Sequence, residues 1–172
     1  MSCFVTCTLG HEHWGRYGAA GLLIYRFGAS GEVEMLLQLR APWLHHGDTW
    51  GLPGGALESG ETAEQAAFRE AREELGVDAR EYLEPGGAVV DDSHGSWHYT
   101  TILAALAKPL EISDMTPNDE SVRLQWFTRR ELRSIPLHPG LQDSIGTLIF
   151  RLPPDIEPCA AAAALPTRAE AS

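Results

Sequence analysis

The stretch GALESGETAEQAAFREAREELGV (residues 55–77) joins a glycine-containing turn to a segment rich in carboxylates. Thr62 and Gln65 form a capping-box pattern, in which the threonine side chain accepts from an early helix amide while the glutamine side chain reaches back to the cap. Alanine, glutamate, glutamine, arginine and leucine then carry a helix forward with good propensity. The pattern therefore predicts that a helix begins at about Ala63.

Three carboxylates lie on one face of this predicted helix. Gly76 tolerates the left-handed conformation that ends helices, so the helix is expected to stop near Leu75. Glu70, Glu73 and Glu74 fall within an arc of roughly 100°, because residues three and four apart share a helix face. Mg²⁺ binds through one or two protein carboxylates together with water and substrate phosphates. The arc indicates a site for Mg²⁺ or Mn²⁺, although a glutamate-rich helix taken alone is usually a solvated surface.

The whole stretch resembles the signature of the Nudix hydrolases: glycine, five residues, glutamate, seven residues, then arginine-glutamate-apolar-x-glutamate-glutamate-x-glycine-apolar. Every specified position matches, and the matching residues are Gly55, Glu61, Arg69, Glu70, Ala71, Glu73, Glu74, Gly76 and Val77. The resemblance implies an α/β fold of the Nudix type, an α/β/α sandwich with a mixed curved β-sheet, over residues 1–152. It also implies a divalent-metal-dependent hydrolase, with Mg²⁺ or Mn²⁺ as the cofactor, that cleaves a nucleoside diphosphate linked to another moiety X.

The resemblance further implies roles for single residues of the signature. Glu73 and Glu74 are expected to be the principal metal ligands, with Glu70 either a third ligand or the base that deprotonates the attacking water. Arg69 lies one turn before Glu73, so an ion pair between them would fix the orientation of that carboxylate. Gly55 offers backbone without a side chain, which makes it a further candidate metal contact.

Five candidates lie outside the helix itself. Arg40 closes a predicted strand and is a candidate phosphate contact. Trp43, in a loop that contains proline and glycine, could cover a nucleotide base. Tyr99 could stack on a base, although aromatic residues in strands more often serve packing. Glu120 is placed like an acidic residue that many Nudix enzymes bring from outside the signature as an extra ligand or base. Glu61 is favoured by the helix dipole and is given a supporting role.

The remainder of the chain reads as strands followed by helices. Alternating apolar patterns between turn signals predict five strands, at residues 17–27, 33–40, 88–90, 97–107 and 122–127. A short helix is expected at 129–133 and a longer one at about 141–150. The composition of residues 153–172, rich in proline and alanine, predicts a mobile tail.

Composition and charge narrow the classes of function. A chain of 172 residues with a mean hydropathy of −0.17 suits one domain with a sizeable core. The sequence has no apolar run long enough to span a membrane and no signal-peptide pattern, so a cytoplasmic protein is expected. A formal net charge of −11 argues against broad nucleic-acid binding but allows a small-molecule nucleotide whose charge a metal screens. The resemblance also allows a homodimer.

Four potential zinc ligands near the amino terminus follow a C-x3-C-x3-H-x-H pattern: Cys3, Cys7, His11 and His13. Zinc sites usually show tighter pairing of their ligands, so a flexible amino-terminal end is the favoured interpretation. The third cysteine, Cys159, lies in the predicted tail. An odd number of cysteines indicates a reducing compartment and not a disulfide scaffold.

Within the Nudix class, the sequence favours a nucleoside triphosphate, ordinary or oxidised, cleaved to the monophosphate and pyrophosphate. ADP-ribose and dinucleoside polyphosphates are the alternative substrates. Two functions of other classes stay open: a module that binds nucleotide without turning it over, and a structural metal-binding protein built on the amino-terminal cysteines and histidines.

Overall fold

A mixed β-sheet with one α-helix on each face forms the framework of the protein. The structure is a computed structural model and describes residues 4–157, apart from the side chains of residues 90–92. The strands are β1 (Phe4–Thr6), β2 (Glu12–Trp14), β3 (Ala19–Phe27), β4 (Val33–Arg40), β5 (Trp50–Gly51), β6 (Gly54–Ala56), β7 (Leu83–Ser93), β8 (His98–Leu106) and β9 (Ser121–Thr128). The helices are α1 (Ala63–Leu75) and α2 (Pro139–Arg151), and one-turn 3-10 helices cover Ala79–Glu81, Ile112–Asp114 and Glu131–Ser134.

The main sheet has the strand order β5-β4-β3-β8-β7, with β6 also paired to β3 and β9 to β4. The β3–β8 pair is parallel, and the other pairs of this sheet are antiparallel. Strands β1 and β2 form a separate antiparallel hairpin. Strands β3 and β4 read as nearly continuous apolar runs because both faces of the sheet are covered.

Strands β4 and β6 share one edge of β3 and diverge along it. Strand β6 pairs with β3 at Ala19, Ala20 and Gly21, whereas β4 pairs with β3 only at Tyr25, Arg26 and Phe27. Beyond Met35, β4 leaves β3 and continues with β9 and β5 as partners. Residues 41–49 connect β4 to its antiparallel partner β5 and make no strand pair with β3. The divergence leaves a wedge between β4 and β6 that polar side chains can enter.

The predicted α/β/α sandwich is confirmed, because the two helices pack on opposite faces of this sheet. Helix α1 contributes Ala66, Ala67, Phe68, Ala71 and Leu75 to a core cluster that also holds Leu22, Ile24 and Leu36. Helix α2 contributes Leu141 and Leu148 to a second cluster with Leu23, Met35 and Leu37. Alternate residues of β3 and β4 thus point to different helices, as the two-residue period of a strand requires.

The predicted ends of α1 are confirmed. Thr62 caps the helix: its side chain accepts from the Gln65 amide at 3.2 Å, and its own amide donates to Gln65 Oε1 at 2.9 Å. Gly76 follows the helix with a φ of 70°. Its position is crowded as well as left-handed, since a Cβ there would lie 2.2 Å from the carbonyl oxygen of Thr116.

Several predicted elements differ from those observed. The strand predicted at 88–90 extends over Leu83–Ser93, and the helix predicted at 129–133 is a 3-10 turn at Glu131–Ser134. The prediction of a flexible amino-terminal end is wrong for residues 4–14, because these residues form the β1–β2 hairpin. Short strands such as β5 and β6 escape prediction because two or three residues do not establish a period.

Residues 153–157, predicted to begin a mobile tail, are bonded to the turn between β3 and β4. The Asp155 carboxylate accepts from the Val33 amide at 2.8 Å and pairs with Arg129, and the Ile156 amide donates to the Gly31 carbonyl at 2.9 Å. Residues 158–172, including Cys159, lie outside the described residues, as does Cys3. Among residues 4–157, neither α-helix has both the length and the apolar character needed to cross a membrane.

Candidate active site

The three glutamates of α1 lie on one face, as predicted, but they differ in exposure. Glu74 is only 4% exposed, and its Oε2 accepts from Gln38 Nε2 at 2.8 Å and from the Gly54 amide at 2.9 Å. The Glu70 side chain is 18% exposed and that of Glu73 is 58% exposed. The face therefore runs from a buried carboxylate in the wedge between β4 and β6 out to solvent.

Burial and neighbouring negative charges make Glu70 and Glu74 harder to ionise than ordinary glutamates. Burial, together with the negative charges of Glu70 and Glu120, raises the pKa of Glu74 to about 7 against the opposing effect of its two hydrogen bonds. Burial also raises the pKa of Glu70, and Glu73 and Glu120 add to that effect while Arg69 opposes it. Carboxylates that repel one another in this way favour a bound divalent cation.

Arg69 contacts the carboxylate face, although its main partner is not the predicted one. Its guanidinium donates to both oxygens of Glu61, at 2.9 and 3.0 Å, and to Glu70 Oε1 at 2.8 Å. The nearest oxygen of Glu73 is 3.7 Å away. The hydrogen bonds with Glu61 raise the pKa of Arg69, so the guanidinium stays charged. The predicted Arg69–Glu73 ion pair is therefore present at 3.7 Å, but the closer contacts of Arg69 are the bidentate pair with Glu61 and the hydrogen bond to Glu70.

Gly55 lies against the carboxylate of Glu70. A Cβ at this position would lie 2.5 Å from Glu70 Cδ, so any side chain would displace the carboxylate. The result is a cluster of hard carboxylate oxygens beside bare backbone, which is the set of donors that Mg²⁺ and Mn²⁺ prefer. The residues present therefore fit the predicted cofactor.

The loop before β9 brings Glu120 to this cluster. The Thr116 amide donates to the carbonyl of Leu75 at 2.9 Å, and the Asn118 amide donates to the carbonyl of Glu74 at 3.1 Å. The loop is thus tied to the final carbonyls of α1, which a helix leaves without internal partners. The Asn118 side chain also accepts from the Glu120 amide at 3.0 Å. Glu120 lies close enough to raise the pKa of both Glu70 and Glu74.

A cavity of about 590 Å³ opens beside the cluster, with Gly54 and Glu120 in its lining. Part of its wall is aromatic, formed by Phe4, Trp14, Trp97 and Tyr99. Another part is formed by Arg40 and three histidines, His45, His46 and His138. The volume lies in the range of small-ligand pockets, and the two walls offer separate environments for a ring system and an anion.

The structure brings Tyr99 and Arg40 to this cavity and leaves Trp43 out of it. Arg40 Nη2 donates to the carbonyl of His45 at 3.2 Å, while its buried Nε has no hydrogen-bond partner within residues 4–157. Arg40 lines the cavity, where a guanidinium can pair with an anion. Trp43 is 70% exposed and does not line the cavity, so the prediction that it covers a base is not supported by this arrangement.

Two residues of the site were not predicted from the sequence. Gln38 is 2% exposed and holds Glu74 through its side-chain amide; the available signal was one polar residue within the apolar run of β4. His138 caps α2 by accepting from the Gly140 amide at 3.2 Å. Burial, with the nearby charge of Arg40, lowers the pKa of His138 to about 4, so the ring is neutral at pH 7.

The chain resembles several known proteins over most of its length. A protein of Mycobacterium tuberculosis named "Putative 8-oxo-dGTP diphosphatase 3" is 47% identical over 148 residues, which cover 82% of this chain and 65% of that protein. A "Nucleoside triphosphate pyrophosphatase/Nudix hydrolase fusion protein" of Bifidobacterium longum is 38% identical over 125 residues, covering 72% of this chain and 26% of that protein. The chain thus spans less than two thirds of the length of these two curated relatives.

The crystal structure of a Nudix hydrolase from M. smegmatis, RenU, is similar in fold and sequence. It has a TM-score of 0.78 and 41% identity, and the match covers 88% of this chain and 96% of that one. A family model described as the NUDIX domain matches residues 16–148. That range takes in the main sheet, α1 with its carboxylates, the loop of Glu120 and most of α2, and on these grounds the chain belongs to the Nudix family.

Proposed function

We propose that this chain is a divalent-metal-dependent pyrophosphohydrolase that cleaves a nucleoside triphosphate, ordinary or oxidised, to the monophosphate and pyrophosphate. The observation that carries the proposal is a cluster of four carboxylates, Glu70, Glu73, Glu74 and Glu120, beside a cavity lined by aromatic side chains and Arg40. The name of the M. tuberculosis relative supports an oxidised purine nucleotide as the first substrate to test.

Glu73 and Glu74 would hold Mg²⁺ or Mn²⁺ together with Glu70 and the backbone of Gly55. When bound, such an ion neutralises diphosphate oxygens and lowers the pKa of a coordinated water. Glu74 has a pKa of about 7 without metal, so binding at neutral pH requires this carboxyl to release its proton. Gln38 and the Gly54 amide hold the same carboxylate in place and oppose that rise in pKa.

The reaction needs a water, a proton acceptor and a leaving group. Water attacks a phosphorus atom of the phosphate chain, the bond from that phosphorus to the bridging oxygen breaks, and the proton of the water passes to a carboxylate. Glu70 and Glu120 are the two candidate acceptors, and both lie beside the predicted metal ligands. Arg69 keeps Glu70 oriented through a hydrogen bond of 2.8 Å.

The cavity walls suit the two ends of a nucleotide. Arg40 lines the cavity, which supports its guanidinium as the donor to a phosphate oxygen. Tyr99 and Trp97 also line the cavity and supply aromatic rings on which a base can stack. The partner is therefore a small nucleotide, which is consistent with the net charge of −11 once a metal screens the phosphates.

A panel assay with matched variants tests the proposal. Release of phosphate or pyrophosphate is measured from nucleoside triphosphates, 8-oxo-dGTP, ADP-ribose and a dinucleoside polyphosphate, each with Mg²⁺ and with Mn²⁺. Glu73→Gln is expected to lower kcat by roughly 100-fold or more. Glu64→Gln is the control, since Glu64 lies on the same helix but pairs with Arg80. Equal activity in the two variants, or nucleotide binding without turnover, would overturn the hydrolase proposal.

A further inference from the structure

A second group of metal-binding side chains lies outside the carboxylate site. Cys7, His11 and His13 come from the β1–β2 hairpin, and His94 comes from the turn between β7 and β8. One ligand atom from each side chain can be chosen so that all four lie within 4.8 Å of one another. The hairpin residues were part of the predicted zinc pattern, but the fourth member is His94, distant in sequence.

We propose that Cys7, His11, His13 and His94 form a second metal site that binds Zn²⁺ or a similar transition metal. One thiolate and three imidazoles are borderline-soft ligands, which zinc accepts and Mg²⁺ does not favour. The proposal goes beyond the hydrolase function and does not depend on it. A structural zinc site of this kind is closed by four protein ligands, whereas the carboxylate cluster is expected to leave positions for water and phosphate.

The distances are within about 1 Å of those around a tetrahedral ion. Zinc bonds of about 2.0–2.1 Å to nitrogen and about 2.3 Å to sulfur place neighbouring ligand atoms roughly 3.3–3.6 Å apart. Cys7 Sγ lies 3.6 Å from His94 Nδ1, and His11 Nδ1 lies 3.0 Å from the same nitrogen. The widest separation in the group, 4.8 Å, closes to this range with a shift of about 1 Å in a side chain.

The backbone around the ligands is already fixed. The Cys7 amide donates to the carbonyl of His11 at 2.9 Å, which closes the hairpin turn and sets the two ligands on one side. The His94 amide donates to the carbonyl of Trp97 at 2.9 Å. The His13 ring stacks on Trp97, with centroids 4.1 Å apart and an interplanar angle of 14°. An ion would therefore meet ligands from two elements that are held in place before it binds.

A bound ion would fasten the aromatic wall of the substrate cavity. His13 and Trp97 both line the cavity, as do Phe4 and Trp14 at the paired ends of the hairpin. The ion would join the hairpin to the β7–β8 turn, across elements that are otherwise far apart in the chain. Loss of the ion is therefore expected to loosen the wall and to raise KM for the nucleotide more than it lowers kcat.

Metal binding itself is the direct test. The full chain is stripped with chelator, dialysed and titrated with Zn²⁺ and with Co²⁺, and metal content is measured by mass spectrometry. We expect one tightly held zinc per chain, and a Co²⁺ spectrum with tetrahedral d–d bands and a sulfur-to-metal charge-transfer band. The last band requires a thiolate, so Co²⁺ bound at the carboxylate cluster does not produce it.

Variants decide which side chains hold the ion. Cys7→Ser is expected to abolish the charge-transfer band, and His94→Asn to weaken Zn²⁺ binding by roughly 100-fold. His98→Asn and Cys3→Ser are the controls and are expected to keep both. Circular dichroism and Tm show whether each variant is folded; should Cys7→Ser fail to fold, His94→Asn carries the test. The proposal is overturned if no zinc is retained, if His94→Asn binds like His98→Asn, or if Cys3→Ser removes the band.

Discussion

Replacing Gln38 with leucine tests whether Glu74 needs its buried hydrogen bonds in order to bind metal. Gln38 Nε2 donates to Glu74 at 2.8 Å, and Gln38 Oε1 accepts from Ser121 Oγ at 2.7 Å. Leucine has a similar volume and removes both bonds. A hydrogen bond to a buried charged group contributes about 1.5–3 kcal/mol, so ionised Glu74 becomes less stable by that amount. Metal binding requires the ionised form, and the affinity is expected to fall roughly 10- to 100-fold.

The assay is Mn²⁺ binding at pH 7.5, followed by the electron paramagnetic resonance signal of free Mn²⁺ or by calorimetry. Ser121→Ala is the matched control, because it removes the bond on the far side of Gln38 and leaves the contact with Glu74 in place. Its Mn²⁺ affinity is expected to stay within about threefold of the wild type. Unchanged Mn²⁺ affinity in Gln38→Leu, with normal circular dichroism, would refute the reasoning that Gln38 positions a metal ligand.

Three further predictions follow from the described geometry. In metal-free protein the pKa of Glu74 is about 7, against 4.5 for an ordinary glutamate, so the folded state keeps a proton that the unfolded chain releases. The free energy of unfolding should therefore fall by roughly 3 kcal/mol as pH rises from 4.5 through 7. Urea unfolding in the presence of chelator should show a flatter pH dependence of this free energy in Glu74→Gln than in the wild type. An equal pH dependence in both proteins would contradict the prediction. Gly76→Ala should lower Tm more than Gly60→Ala. Both glycines have a positive φ, of 70° and 81°, but only at Gly76 would a Cβ clash with the backbone, 2.2 Å from the carbonyl oxygen of Thr116. Similar Tm values for the two variants would show that the clash is relieved. Arg40→Met should raise KM for the nucleotide about tenfold with a smaller change in kcat, because Arg40 lines the cavity. The measurement is steady-state kinetics, and a loss in kcat alone would argue against a phosphate contact in the ground state.

The ends of α1 could be predicted because the signals that set them are local. The helix begins with hydrogen bonds between Thr62 and Gln65, which lie within one turn of each other. It ends at Gly76, whose amide donates to a carbonyl in the last turn. The shared face of the glutamates also follows from helix geometry alone. The sandwich fold came from the match to the signature, since the strand pattern by itself supported only a mixed α/β chain.

Contacts between distant segments could not be predicted. Helix spacing indicated the Arg69–Glu73 ion pair, which is present at 3.7 Å, but it could not indicate the closer bidentate contact with Glu61 in the preceding loop. His94 joins the amino-terminal ligands only because the hairpin folds over the β7–β8 turn. Trp43 was predicted to cover a base but is exposed, because the sequence of a loop does not determine the direction of its side chains.

The separation of β4 from β3 also determines which parts of the cavity depend on the pairing of β3. Glu74 lies in the wedge and is bonded to Gly54 of β6, whose pairing with β3 sets its position. Residues 41–49 border the cavity through Leu44, His45 and His46; they connect β4 to β5, and the Ala41 amide donates to the carbonyl of Glu120 at 2.8 Å. They make no strand pair with β3. The part of the cavity lining that they supply is therefore held by β4, β5 and the Glu120 loop, and not by the β3–β6 pairing that places Gly54 beside Glu74.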